Sequence, residues 1–511
     1  MSINGMDFFA KLPPEIRIRV MGQMSSKSAI SRIIQASPAM LAQWIQSRKT
    51  IVRAVLINLV GGDIYGDLLH DALAIIHMPP IDSSSTDSIL HHVGLWLTKG
   101  LLDPFEQNDG ETLDMLYRLF SRLAVFIEDY MTKATAPFPP RAYLCLPRMK
   151  SMDGELYFRD QTIDAQHVKL DDLTCSERNR FLRAFVRYEL LCNLYTPRLW
   201  KIVEPSEYGD QVKQSQSNLH IWEYEMLHCV REYTRSVYAA IFANFTPSWL
   251  PNDQTASGSE SSSGKELLYP DNFWTNPNEY FCNLELPRSC YHSASFLHLR
   301  GFDLLTHALV YSESNQGSYK DLRKWFLAMS AEWARTEDFR APSQDHSLAQ
   351  DQGPTSASCA DLGVRGQLFQ KISTVLMREG VVSYPQVMGL SMYVQLRIYR
   401  QRAWPFFEDA RFYPGVDSLC HFPSLDELAE QDRLVKLKFP YPEGEQQRRR
   451  SRKWQDFFAG RESGNDFDWQ DDDGKLERVA GERITIPRIF ERPVTERLIP
   501  FWRYGMPMST E

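Results

Sequence analysis

Four residues near the middle of the chain carry side chains that bind transition metals, namely Cys282, Cys290, His292 and His298. A structural zinc site needs thiolate and imidazole groups at spacings that let them converge on one ion. The spacing here, Cys-x7-Cys-x-His-x5-His, matches none of the common zinc patterns. Buried free cysteines and ordinary histidines account for these residues, so the sequence predicts no metal site.

Other residues that could do chemistry also have structural interpretations. Asp171 and Asp172 precede a predicted helix, where carboxylates form turns and complement the helix dipole. His91, His92 and His167 have no partner in the local sequence and are interpreted as surface or hydrogen-bonded core residues. The chain lacks a glycine-rich phosphate loop, a His-Glu-x-x-His motif, a Cys-x-x-Cys motif and a Gly-x-Ser-x-Gly elbow. We therefore expect no catalytic residue and no cofactor.

Composition narrows the class of protein. The 511 residues include 28 Phe, 22 Tyr and 12 Trp, which favours a packed core over disorder. The net charge of −8 gives no general attraction to nucleic acid or to an anionic membrane. Eight scattered cysteines, no signal peptide and no apolar run of roughly 18 residues predict an intracellular protein with reduced thiols. A basic run at 448–453 leaves both the cytoplasm and the nucleus open.

Helical periodicity dominates the chain. Apolar residues recur at intervals of three and four over Glu111–Met131 and Leu219–Phe245, and each run predicts a helix with one buried face. Cap signals predict further helices that begin at Ser176 and, after Ser424, at Leu425. No fixed repeat period is present. The sequence therefore predicts an all-α fold, with a large irregular helical body and an extended C-terminal tail.

Composition shifts divide the chain into seven parts. Two short polar stretches interrupt the helical patterns, and the final part carries opposite charge clusters with prolines. The predicted parts are a helical module at 1–60, a helical body at 61–250, 266–341 and 361–440, a flexible insertion at 251–265, a polar linker at 342–360 and a charged, partly extended tail at 441–511.

The first fifty residues predict three short helices. Pro13 and Pro14 suit the first helical turn, and Ser26 and Ser37 are suited to cap the second and third helices. Gly22 falls inside the first helix, where glycine costs about 1 kcal/mol relative to alanine. The third helix has an apolar stripe made of Met40, Leu41, Trp44 and Ile45. Helices this short are marginal alone, so we expect them to pack on the body or on another protein.

The run Leu12-Pro13-x-Glu15-Ile16, followed by Ala36-Ser37-Pro38, resembles an F-box, especially the F-box-like N-termini of filamentous-fungal proteins. The resemblance covers forty to fifty residues, under a tenth of the chain. It implies a helical module that binds the Skp adaptor of a cullin-RING ubiquitin ligase. By this resemblance Leu12, Pro13 and Ile16 would contact the adaptor, and Val20, Ile30, Ile33 and Trp44 would complete the module.

This resemblance makes a non-catalytic substrate receptor the leading interpretation. Its partners would be a Skp-type adaptor and a protein substrate. Two alternatives stay open. In the first, the chain is a helical scaffold or regulatory protein whose N-terminal helices only pack on the body. In the second, it is an enzyme with an unfamiliar helical site, since catalytic groups can converge from distant positions.

Overall fold

Helices make up 76% of the part of the chain that the computed structural model describes, which confirms the predicted all-α fold. That part comprises residues 7–63, 66–80, 84–136, 139–149, 156–158, 161–163, 165–217, 219, 221–245, 269, 273–277, 297–314, 390–408 and 422–438. The predicted insertion, the polar linker and the C-terminal tail lie outside the described residues. Cys282, Cys290 and His292 lie outside them as well.

The N-terminal helices begin at the residues that the sequence marks as caps. A 3-10 turn at Phe8–Lys11 precedes helices α1 (Pro14–Gly22), α2 (Lys27–Ala36) and α3 (Pro38–Val60). The Ser26 hydroxyl accepts the N–H of Ala29 at 3.2 Å, and the Ser37 hydroxyl accepts the N–H of Met40 at 3.1 Å. Each cap satisfies a backbone donor that the first helical turn would otherwise leave without a partner.

Helix α3 is longer than the sequence predicts because two segments join at a kink. Ser47 has non-helical angles, φ −122° and ψ 26°, and divides the helix. The Ser47 hydroxyl accepts an N–H of Gln43 at 2.9 Å, so side-chain bonding accompanies the kink. The second segment carries Ile51, Val55 and Leu59 into the core.

Twelve further α-helices form the described body. The longest is a buried, aromatic-rich helix, α7, and the predicted helix over Leu219–Phe245 is present as α12. Their bounds are α4 Asp67–Ile76, α5 Thr86–Leu97, α6 Pro104–Gln107, α7 Gly110–Thr135, α8 Pro139–Ala142, α9 Cys175–Leu194, α10 Pro197–Val203, α11 Glu207–Ser217, α12 Ile221–Phe245, α13 Gly301–Ser314, α14 Leu390–Gln401 and α15 Leu425–Lys438.

A short antiparallel hairpin interrupts the helices. Strand β1 (Leu156–Phe158) pairs with β2 (Gln161–Ile163), with Leu156 opposite Ile163. Two strands of three residues are too short to form a sheet of independent stability. The hairpin therefore covers part of the helical body and does not change the fold class.

Aromatic side chains from α7, α9 and α12 fill the centre of the body. The ring of Tyr130 lies 4.8 Å from that of Tyr233. The ring of Phe181 stacks on that of Phe406 at 4.1 Å, and the ring of Phe185 stacks on that of Phe302 at 5.3 Å. Aromatic pairs at these separations add to the free energy of burying their apolar area.

The N-terminal helices belong to the same core as the body. Met21, Ile30, Met40 and Ile51 are buried in one continuous apolar cluster that reaches Leu428 of α15. The N-terminal module is therefore packed against the body. Within the described residues, no helix combines the length and apolarity that crossing a membrane requires.

Candidate protein-docking surface

Three N-terminal segments meet at the start of α3. The Asp7 carboxylate accepts hydrogen bonds from the Ser37 hydroxyl at 2.8 Å, the Ala39 N–H at 3.1 Å and the Phe9 N–H at 3.0 Å. The bonds from Ala39 and Ser37 lower the pKa of Asp7 below its usual value. Arg17 of α1 donates to the Ala39 carbonyl at 3.2 Å. These contacts bring the 3-10 turn and the start of α1 against the first turn of α3.

Large apolar side chains are exposed around this meeting point. Of the seven exposed in the described part of the chain, four lie between residues 8 and 45, and Ile57 lies near the far end of α3. The exposed fraction is 77% for Phe8, 41% for Ile16 and 72% for Ile45. Leu41 lies one helical turn before Ile45, so both side chains project from the same side of α3. We call the following residues the N-terminal apolar surface: Phe8, Leu12, Pro13, Ile16, Leu41 and Ile45.

The residues that the F-box resemblance selects occupy three environments. Pro13 and Ile16 are exposed, whereas Ile30 is buried in the core. The other four are half-buried, namely Leu12, Val20, Ile33 and Trp44. The first two groups thus differ in what they can contact: Pro13 and Ile16 face solvent, and Ile30 packs inside the module.

Trp44 faces the body of the protein. Its ring centroid lies 6.4 Å from that of Tyr117 on α7. The Arg48 guanidinium lies 6.0 Å from the Trp44 ring and pairs with Asp114 of α7 at 3.0 Å. These contacts place Trp44 between α3 and α7, where it attaches the N-terminal module to the body. The neighbouring Ile45, in contrast, faces solvent.

Polar contacts fix α2 and the end of α3 to the body. The Ser25 N–H donates to the Asp171 carboxylate at 2.7 Å. The Arg178 guanidinium donates to the Ser25 hydroxyl at 2.6 Å and to the Asn58 side-chain oxygen at 3.4 Å. Asn58 in turn donates to the Gln23 carbonyl at 3.0 Å. The orientation of the N-terminal apolar surface relative to the body is set by these bonds.

Helices α1 and α3 approach closely at Gly22. A Cβ atom added at Gly22 would lie 2.7 Å from the Cβ of Ala54. Ordinary carbon–carbon contacts are about 3.5–4.0 Å, so no larger residue fits without moving a helix. Glycine at this position is a packing requirement, which explains a residue that is otherwise unfavourable inside a helix.

The charge of the N-terminal helices differs from that of the whole chain. Residues 7–63 carry eight basic and three acidic side chains, a net charge of +5, although the whole chain carries −8. Lys11, Arg19, Lys27 and Lys49 are exposed. A net positive charge on these helices favours a partner whose surface is acidic.

The residues that the sequence offered as possible catalytic or metal-binding groups make structural contacts. The Asp172 carboxylate accepts the Lys169 N–H at 2.8 Å in a 3-10 turn, and Asp171 bonds to the N-terminal module. An imidazole nitrogen of His92 lies 2.9 Å from the Ala74 carbonyl oxygen, and that of His167 lies 3.7 Å from the Glu128 carboxylate. Within the described residues, no three His, Cys, Asp or Glu side chains are grouped to hold a metal ion.

Sequence reasoning missed three parts of the surface. The sequence places Leu41 and Ile45 in the apolar stripe of the third helix without separating them from Met40 and Trp44, and it gives Phe8 no predicted role. A signal was present, because Met40, Leu41, Trp44 and Ile45 cover more of a helix than one buried face needs. The surplus apolar positions, Leu41 and Ile45, are the exposed ones.

No family model matches this chain, and neither a curated protein nor a solved structure matches it. Its function must therefore follow from its own residues, above all from the N-terminal apolar surface and the contacts that hold it in place.

Proposed function

We propose that this protein is a substrate receptor of a Skp–cullin–F-box ubiquitin ligase, and that it binds the Skp adaptor through the N-terminal apolar surface. The observation that carries the proposal is the concentration of exposed apolar side chains where the three N-terminal segments meet. The F-box resemblance of Leu12, Pro13 and Ile16 places adaptor contacts in the same region. The protein has no catalytic role in this proposal and requires no cofactor.

Burial of this surface would release a useful amount of free energy. Fully burying one isoleucine is worth roughly 1.5–3 kcal/mol. Ile16 and Ile45 have exposed fractions of 41% and 72%. Removing both from water would therefore contribute on the order of 2 kcal/mol, with further contributions from Phe8 and Leu41. An exposed cluster of this kind is typical of a binding site.

The remaining residues of the resemblance have a supporting role. Ile30 is buried, and Val20, Ile33 and Trp44 are half-buried against neighbouring helices. Ile30 packs in the core and Trp44 attaches α3 to α7, so these residues support the arrangement that presents Pro13 and Ile16. Substitution of these residues would reduce adaptor binding by unfolding the module, whereas substitution of the exposed residues would reduce it directly.

The helical body would bind the protein substrate. Because Asp171 and Arg178 fix the module on the body, a substrate bound there would keep a constant orientation relative to the adaptor. The same contacts favour the second candidate function, a helical scaffold whose N-terminal helices only pack on the body. The two functions differ in one property, which is whether the exposed face of the module binds an adaptor.

Calorimetric titration of the full-length chain with purified Skp adaptor distinguishes them. We expect saturable binding, and we expect Ile16→Asp and the Leu12→Ala/Pro13→Ala double variant to weaken it by about tenfold or more, equivalent to 1.4 kcal/mol. Leu434→Asp on α15 is the matched control, because Leu434 is 45% exposed and also helical. Its affinity should equal that of the native chain.

Circular dichroism of every variant verifies folding. Asp at position 16 falls in the first turn of α1, where a carboxylate is favourable, so the helix should persist. Absence of saturable binding by the folded native chain would reject the receptor and leave the scaffold. Equal loss of binding in Ile16→Asp and Leu434→Asp would also exclude this surface as the docking site.

A further inference from the structure

The 3-10 turn at Phe8–Lys11 contributes little burial of its own. None of its four residues is buried. The Phe8 ring is 77% exposed, the Lys11 amine lies 6.0 Å from its centroid, and Phe9 is half-buried against the core. A 3-10 segment this short is only weakly stable alone. The position of Phe8 therefore depends on how the turn is attached to α3.

The Asp7 carboxylate makes this attachment. Its Oδ1 atom accepts the Phe9 N–H at 3.0 Å, inside the turn. Its Oδ2 atom accepts the Ala39 N–H at 3.1 Å and the Ser37 hydroxyl at 2.8 Å, both at the start of α3. The positive end of the α3 dipole favours a negative charge at this position. Each oxygen thus binds a backbone N–H of a different segment, and the carboxylate joins the two.

The first turn of α3 has a donor that suits this carboxylate. The Ser37 hydroxyl accepts the Met40 N–H, and the Ser37 carbonyl accepts the Leu41 N–H at 3.0 Å. Pro38 has no N–H. Ala39 is thus the residue of this turn whose N–H is bonded by a residue distant in sequence. Without Asp7, that donor would lose its partner.

Asparagine does not reproduce this link. Its side chain has one acceptor oxygen and an NH2 group that only donates. The NH2 group would therefore face the N–H of Phe9 or that of Ala39, so Asp7→Asn should break the link at almost unchanged size. Arg17 of α1 donates to the Ala39 carbonyl at 3.2 Å without involving Asp7. Helix α1, with Ile16, should therefore keep its place in the variant.

We propose that Asp7 is a positioning residue of the docking surface. By joining the 3-10 turn to α3, its carboxylate fixes Phe8 as an apolar anchor for the adaptor. This inference rests on the proposed function. It adds to that function a residue outside the F-box resemblance, which begins at Leu12.

Hydrogen exchange tests the positioning without an adaptor. Full-length native chain and Asp7→Asn are labelled by rapid mixing, and exchange is read by mass spectrometry of peptides. We expect the peptide over residues 8–12 to exchange at least about tenfold faster in Asp7→Asn, because the turn opens more often. The peptide over α2 should exchange at the native rate, which verifies that the module remains folded.

Asp109→Asn is the matched control for the loss of a capping carboxylate. Asp109 caps α7 by accepting the N–H of Glu111 at 3.0 Å and that of Thr112 at 3.2 Å. Its replacement removes the same charge from the body and leaves the 3-10 turn untouched. We expect native exchange over residues 8–12 and native adaptor affinity in this variant.

Calorimetric titration with purified Skp adaptor tests the docking role through a double-mutant cycle. We expect Phe8→Ala and Asp7→Asn each to weaken binding by roughly tenfold, a typical effect of losing one aromatic anchor. The variant that carries both substitutions should bind no more weakly than either single variant, because Asp7 acts through Phe8. Ile45→Ala should instead add its own loss to that of Asp7→Asn.

Two results would overturn the proposal. The first is native exchange over residues 8–12 in Asp7→Asn, which would show that other contacts hold the turn. The second is an affinity of Asp7→Asn that equals the native affinity, or a loss that couples to Ile45→Ala as strongly as to Phe8→Ala. Absence of adaptor binding by the native chain would reject the proposed function and the docking role together. The exchange experiment would then still decide whether Asp7 positions the turn.

Discussion

Replacing Gly22 with alanine sets two effects against each other. Within an isolated helix the change should stabilise by about 1 kcal/mol, because glycine loses more backbone entropy. In the folded protein the added methyl group would lie 2.7 Å from the Cβ of Ala54. Overpacking of this kind typically costs about 1–3 kcal/mol. We therefore expect Gly22→Ala to destabilise the module by about 1 kcal/mol.

A double-mutant cycle isolates the contact. Ala54→Gly alone should lower the free energy of unfolding by about 1 kcal/mol, because glycine has a lower helix propensity than alanine. The stability of the double variant should be close to that of the native chain. The cycle then gives a coupling free energy of about 2 kcal/mol in favour of the double variant. The other atoms of Ala54 lie 3.9 Å or more from the added Cβ, so removing one methyl group is sufficient.

Native-state hydrogen exchange suits this measurement, because it reports opening free energies for α1 and α3 separately from the rest of the body. The expected order of protection is native chain, then double variant, then each single variant. Increased protection in Gly22→Ala, or additivity of the two substitutions within about 0.5 kcal/mol, would refute the close helix approach.

Three further predictions concern the body. Gly301→Ala should lower the free energy of unfolding by about 3 kcal/mol, because Gly301 has φ +70° and a Cβ there would overlap the buried Glu189 carboxylate. An unchanged thermal midpoint would contradict this prediction. Arg400→Met should lower the free energy of unfolding by about 3 kcal/mol, because it leaves the Glu225 carboxylate without the guanidinium that pairs with it. Adding Glu225→Met should recover most of that loss, and a double variant as unstable as the single one would count against it. Burial lowers the pKa of His92 below 6.5, so the unfolded chain binds more protons below pH 6.5 and acidification should destabilise the fold. His92→Gln should remove up to about 1.4 kcal/mol per pH unit of this slope in denaturant titrations.

Local signals in the sequence predict helix starts well. Ser26, Ser37 and Ser424 each cap the helix that their position indicates. The start of α9 shows how such a prediction is missed by two residues. Its cap is Thr174, which exchanges hydrogen bonds with Glu177, and not Ser176. The reciprocal bonding of a capping box depends on the acidic residue three positions after the cap, and Glu177 stands in that position relative to Thr174.

Contacts between distant residues are not predictable from a single sequence. Asp171 looked like a turn residue, yet it accepts the Ser25 N–H across 146 positions. The same holds for Arg231 and His298, which are 67 positions apart and belong to separate elements. The sequence offers His298 as a member of a possible metal set with Cys290 and His292, which its spacing disfavours, and otherwise as an ordinary histidine. Periodicity predicts that α12 has a buried face, but it does not reveal that the face contains arginines.

The exposed part of the N-terminal module could be inferred only in part. The pattern of Pro13 and Ile16 indicated a docking site, and both residues are exposed. The exposure of Ile45 depends on how α3 packs against α7 through Trp44. From sequence alone, an apolar side chain on a helix is normally assigned to the core. Only the tertiary packing shows which side of a wide apolar stripe remains exposed to water.

Site-specific photo-cross-linking tests adaptor docking most directly. A photoreactive phenylalanine analogue is introduced into the full-length chain at Ile16, at Ile45 or, as a control, at Leu434, and each protein is irradiated with the Skp adaptor. All three side chains are exposed, so each substitution should preserve the fold. We expect adducts from positions 16 and 45 and none from position 434. Adducts from position 434 alone, or none from any position at a saturating adaptor concentration, would contradict this prediction.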